Sequence, residues 1–175
     1  DLHFNLGTVY DKLNRFDDVV RVMEVAIKLD PHHADALNYL GYSYAERGVK
    51  IDQAISLTKR AVALKPSNGY YIDSLAWALF KSGLFTEALT EIKRAVSLTG
   101  DDPVLYEHLG DIYAKQRNFS DAREAWLRAL ELDPSNNKLM DRFRDLGMGD
   151  PTQEERIQQA KRRVEDKSMP APPTP

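Results

Sequence analysis

The chain has 175 residues, 42% of them hydrophobic and 29% charged, with a formal net charge of −3 and no cysteine. That balance suits a chain with a buried core and lacks the basic surplus of a nucleic-acid binder. The missing cysteines exclude disulfides and thiolate metal sites, and the lack of a long apolar run predicts no direct membrane insertion.

From its first residues the chain repeats itself. His3-x-x-Leu6-Gly7-x-x-Tyr10 returns as Leu37-x-x-Leu40-Gly41-x-x-Tyr44, as Ile72-x-x-Leu75-Ala76-x-x-Leu79 and as Tyr106-x-x-Leu109-Gly110-x-x-Tyr113. The small residue moves from Gly7 to Gly41, Ala76 and Gly110 in steps of 34, 35 and 34, and Ala26, Ala61, Ala95 and Ala129 keep pace. A period of this length means stacked units, each burying its apolar face against its neighbours. The units fall at 1–33, 34–68, 69–102 and 103–136.

Each unit reads as two amphipathic helices. In the second, helix A runs from Ala34 to about Arg47, with Leu37, Leu40 and Tyr44 at helical spacing. Asp30-Pro31 precedes it, where proline ends one helix and lets the next begin. Helix B begins near Asp52, carries Ala54, Ile55, Ala61, Val62 and Leu64, and ends at Lys65-Pro66. Gly41, Ala54 and Ala61 have little or no side chain, so the paired helix axes are expected to approach closely there. Gly41 to Ala54 takes 13 steps where the other units take 12, which places one extra residue in Gly48-Val49-Lys50-Ile51 and lengthens that turn.

After the fourth unit, residues 137–147 repeat the rhythm of a helix A, with Leu139, Met140, Phe143 and Leu146 on one face and Gly147 as a stop. This segment is expected to cap the array. Thr152-x-x-Glu155 reads as a capping box opening a further helix over 151–167, whose apolar stripe is only Ile157, Ala160 and Val164. So thin a stripe suits a solvated helix, with a lid folded back on the array as the alternative. Residues 168–175, SMPAPPTP, read as a disordered proline-rich tail. No polar cap precedes the first unit, so the chain is expected to be the C-terminal end of a longer array.

The closing halves of the units complete the pattern: Val19-x-x-x-Met23 then Pro31, Ala54-x-x-x-Thr58 then Pro66, Ala88-x-x-x-Ile92 then Gly100, and Ala122-x-x-x-Trp126 then Pro134. Over residues 1 to about 136 the chain resembles the tetratricopeptide repeat (TPR) family, in particular C-terminal arrays of bacterial TPR proteins, envelope-associated ones included. The resemblance implies an all-α, right-handed α–α superhelix of antiparallel helix pairs. It also implies a scaffold that binds a protein or peptide in a concave groove without a cofactor. Bacterial cytoplasm and cell envelope both remain open as its compartment.

On that geometry the positions between the pattern residues line the groove. Rows at the repeat spacing gather Tyr42, Tyr70, Trp77 and Phe80 at mid-groove, with Asn38 beside them. Asp73, Glu107 and Asp111 make the C-terminal part acidic. Clustered exposed aromatics offer large apolar area with few rotamers to freeze, so the expected partner is an apolar segment carrying a basic residue. One TPR subclass holds C-terminal carboxylates with Lys, Arg and Asn; the corresponding surface here offers Phe4, Thr8, Tyr39, Tyr70 and Ser74, so that clamp is absent. A second class of function is self-association, through Leu2, Leu6 and Val9 facing outward from the uncapped first unit or through the tail seated in a groove. Other constellations are thin. His32-His33 lies in a turn without convergent ligands, and His108 beside Glu107 and Asp111 lacks a nucleophile and reads as solvated. The chain is predicted not to be an enzyme.

Overall fold

The computed structural model describes residues 2–147 and 150–168. Among them there are ten helices and no strand: α1 Leu2–Lys12, α2 Phe16–Leu29, α3 Ala34–Arg47, α4 Ile51–Leu64, α5 Gly69–Lys81, α6 Phe85–Thr99, α7 Pro103–Lys115, α8 Phe119–Leu132, α9 Asn137–Asp145 and α10 Pro151–Ser168. The proline-rich tail beyond Ser168, and with it any seat in a groove, lies outside the described residues. The helices form two units, one running to Gly100 and the other starting at Asp101. In the first, α1 packs on α2, α3 on α4 and α5 on α6, and α3 and α5 join successive pairs. In the second, α7 packs on α8, which also carries α9 and α10.

Side-chain caps fix where the helices begin. His33 Nδ1 accepts from the Ala36 amide, Asn68 from Tyr70 and Tyr71, and Asp102 from Val104 and Leu105, supplying acceptors for first-turn amides. Inside each pair the turn has a fixed form. Asn14, Gly48, Gly83 and Arg117 take positive φ of 55°, 67°, 86° and 61°. The amide one residue on then donates back to Tyr10, Tyr44, Leu79 or Tyr113, at 2.9, 3.0, 3.0 and 3.0 Å. This closure stays in register through Val49, so the extra residue of the second repeat is Lys50. It takes a second positive φ of 47° before α4 begins.

The pattern's small residues mark the tightest packing within a pair. A Cβ on Gly7 would stand 2.3 Å from Met23 Cε, one on Gly41 2.7 Å from Thr58 Cγ2, and one on Gly110 2.4 Å from Trp126 Cδ1. Met23, Thr58 and Trp126 hold equivalent places on α2, α4 and α8, so the glycine and its partner are one unit of design. A second recurring contact ties helix B to the turn before it. Arg60 donates to the Pro31 carbonyl at 2.9 Å and Arg94 to the Pro66 carbonyl at 2.6 Å, while Arg128 pairs with Asp101 at 2.7 Å. Each of these arginines directly precedes the repeating alanine of Ala61, Ala95 and Ala129.

The last helix corrects the solvated reading. Ile157 is 2% exposed and joins Leu127 and Leu130 of α8 in one apolar cluster. Arg156 adds ion pairs to Glu131 at 2.7 Å and Glu124 at 3.5 Å. The thin stripe suffices because α8 offers an unusual surface. Where it has Leu127, the earlier B helices have Glu24, Lys59 and Lys93. The cap is also shifted by two residues. Asp150 and Gln153 exchange backbone-to-side-chain bonds at 2.9 and 3.3 Å in place of Thr152 and Glu155, because Pro151 takes the first helical position. In α9, Leu139, Met140 and Phe143 are buried as their spacing predicts, whereas Leu146 is exposed beyond the helix end.

Candidate functional site

In the first unit, α3 and α5 carry the residues expected to line a groove, and they divide by environment. Trp77 is only 7% exposed and belongs to the core with Leu40 and Tyr44, not to an open aromatic surface. The reason is Glu46, one repeat earlier, which accepts the indole N–H at 2.7 Å. Lys81 then covers the ring at 4.9 Å while donating to the Glu46 carbonyl at 3.3 Å. On its other side Trp77 stacks on half-buried Phe80, centroids 4.8 Å apart, and Phe80 leans on Phe85. Asp73 is buried within the continuous buried run from Tyr71 to Leu79.

What remains accessible is Tyr70, 56% exposed, with half-buried Tyr42 and half-buried Asn38. Asn38 Oδ1 is buried and has no hydrogen-bond partner among the described residues. Such an acceptor costs free energy until a donor reaches it. Other polar groups of α1, α3 and α5 are already engaged. Thr8 Oγ1 donates to the Asn5 carbonyl and Ser74 Oγ to the Tyr70 carbonyl. Burial, then a hydrogen bond to Asp11, pushes the Tyr39 phenol up to about 12. Tyr71 donates to Asp35, and burial raises its phenol as well.

In the second unit, Glu107 and Asp111 are not a free acidic strip. Arg142 of α9 pairs with both, at 3.3 and 3.0 Å, and lies 4.9 Å from the centre of the Trp126 ring. The Trp126 indole donates to Asp111 and the Asn136 amide to Glu107, each at 2.9 Å. The negative charge expected to attract a partner is therefore partly compensated from within. Sequence reasoning missed Arg142, although a spacing signal exists. Asp111 and Arg142 are 31 residues apart, as are Glu46 and Trp77; Glu107 and Arg142 are 35 apart, as are Glu46 and Lys81. By that register α9 gives α7 what α5 gives α3. His108 is likewise buried at 7% rather than solvated, because it sits one helical step from Leu105 and Ile112 on the packed side of α7. Among the described residues no helix is long and apolar enough to cross a membrane.

Two tetratricopeptide repeat family models match the chain, one over residues 4–69 and one over residues 103–136. Curated relatives include a TPR repeat-containing protein of Pseudomonas aeruginosa, 27% identical over 63% of this chain and 19% of its own length. Another is the human protein O-mannosyl-transferase TMTC1, 30% identical over 78% of this chain and 15% of its length. The chain thus spans less than a fifth of these relatives. Among solved structures, a MamA protein matches with a TM-score of 0.67 at 20% identity, covering 98% of this chain and 97% of that one. That last likeness is one of fold.

Proposed function

This chain belongs to the tetratricopeptide repeat family, and on that premise we propose that it is a non-enzymatic scaffold holding a partner protein segment along α3 and α5. The observation that carries this reading is the buried, unpartnered Asn38 Oδ1. Turned outward from this buried position, that oxygen can accept a backbone N–H of an extended segment, and main-chain bonds of this kind give affinity without demanding a sequence. Exposed Tyr70 and half-buried Tyr42 supply apolar contact with few rotamers to freeze. The basic residue expected on the partner is not part of this proposal, because Glu107 and Asp111 are held by Arg142 within the second unit.

The test is affinity capture with Tyr70→Ala and Asn38→Leu. Each is expected to lose partner at least tenfold while thermal unfolding stays within a few degrees of wild type. Unchanged capture by both variants sinks the assignment.

A second reading rests on α1. Leu2, Leu6, Val9 and Leu13 form one stripe and are exposed, Leu2 at 78%. The residues equivalent to Leu2, Leu6 and Val9 are buried in α3, α5 and α7, among them Ala36, Leu40, Tyr71, Leu105 and Ile112. A stripe of this kind favours self-association. Light scattering across a dilution series should then show a species larger than a monomer that dissociates on dilution and is absent in Leu6→Glu/Val9→Glu. A monomer at every concentration removes this reading.

A further inference from the structure

Between α8 and α10 of the second unit lies a cleft of about 370 Å³, with Arg128, Glu131, Arg156, Gln159, Arg163 and Val164 in its walls. Its charges are unevenly placed. Glu131 sits between two guanidiniums, accepting from Arg156 Nε at 2.7 Å and Arg128 at 3.4 Å, and its side chain is 17% exposed. The further partners of those arginines, Asp101 and Glu124, lie outside the lining and are mostly exposed, at 58% and 66%. Arg163 is exposed and has no ion pair among the described residues. Within the lining, three arginines thus face one glutamate.

From this placement we infer that the α8–α10 cleft is a binding site for an acidic segment of a partner protein, with Arg163 as the first contact for its carboxylate. Three observations favour a carboxylate-bearing segment. The cleft already seats one carboxylate, that of Glu131, between Arg128 and Arg156, and a planar guanidinium matches that group with two parallel bonds. The Arg156–Glu124 pair, at 3.5 Å, is solvent-exposed and weak, so an incoming carboxylate displaces it at little cost. Val164, left 52% exposed on the same stripe of α10, gives an apolar side chain next to the acid somewhere to rest. A free phosphate gains nothing from that last contact. The site is separate from the α3–α5 face, whose ligand is read at Asn38 and Tyr70, so either assignment can fail without the other.

The experiment uses the full chain and a fluorescein-labelled peptide of alternating glutamate and leucine, followed by anisotropy at low salt. Saturable binding is expected, weakened about tenfold or more by Arg163→Glu and less by Arg163→Lys. Arg162→Glu makes the same charge change on the same helix outside the cleft, and should shift affinity less than about threefold. Because Arg163 is exposed, helicity should be unchanged in each variant. Equal losses from Arg162→Glu and Arg163→Glu would mean diffuse charge attraction and overturn the site. So would equal binding of a glutamine–leucine peptide. Saturable chemical-shift changes at Arg163 with inorganic phosphate but none with the peptide would make this a small-oxyanion site and also defeat the proposal.

Discussion

Replacing Gly110 with alanine is expected to lower stability by about 2 kcal/mol or more, although alanine in an open helix is worth about 1 kcal/mol over glycine. The new methyl would stand 2.4 Å from Trp126 Cδ1, 2.5 Å from Nε1 and 2.8 Å from Cγ, and real Cβ atoms do not come that close. The indole cannot step aside cheaply. It is buried, its N–H is committed to Asp111, and Arg142 packs against its ring. Moving it disturbs the contacts that seat α9 against α7. Gly7→Ala is the matched control, because the nearest atom there is the terminal methyl of Met23, which can swing away. Urea unfolding of the two variants should separate them. A Gly110→Ala midpoint at or above wild type would show that the glycine does not set this contact.

Trp77→Ala is expected to cost about 3–5 kcal/mol, the range for emptying a buried aromatic site. It removes the ring stacked on Phe80, uncovers the neighbouring core and leaves the Glu46 carboxylate without its indole donor. Trp77→Phe keeps most of the packing and drops only the N–H, for a smaller loss of about 1–2 kcal/mol. Chemical denaturation followed by circular dichroism measures both. Equal, small losses would place Trp77 at the surface. The consequence for function is direct. A binding defect in Trp77→Ala would report lost packing, so the proposed recognition is tested instead at exposed Tyr70 and half-buried Asn38.

The helical-repeat fold was legible because its signal is redundant. Gly7, Gly41, Ala76 and Gly110 recur where paired helices meet, and a pattern returning four times leaves few alternative folds. The environment of the groove residues was less legible, since it depends on partners a repeat away. Trp77 looks like an exposed anchor until Glu46 and Lys81 are seen closing over it. Glu107 and Asp111 look like a bare acidic strip until Arg142 arrives from α9, and its only signal is a spacing shared with Glu46, Trp77 and Lys81. α10 shows the same limit from the other side. Its own stripe predicts weak docking, and the decisive residue is Leu127 on α8, visible only by comparison with the charged residues at that place in the other repeats.

The central claim, that the α3–α5 face of the first unit holds an extended partner segment through Asn38, is tested most directly at that side chain. With ¹³C,¹⁵N-labelled full chain and a peptide from a captured partner, the Asn38 side-chain amide should shift and saturate together with the Tyr70 ring. The same peptide should leave Arg163 unmoved. Saturable binding that moves neither Asn38 nor Tyr70 would contradict the account.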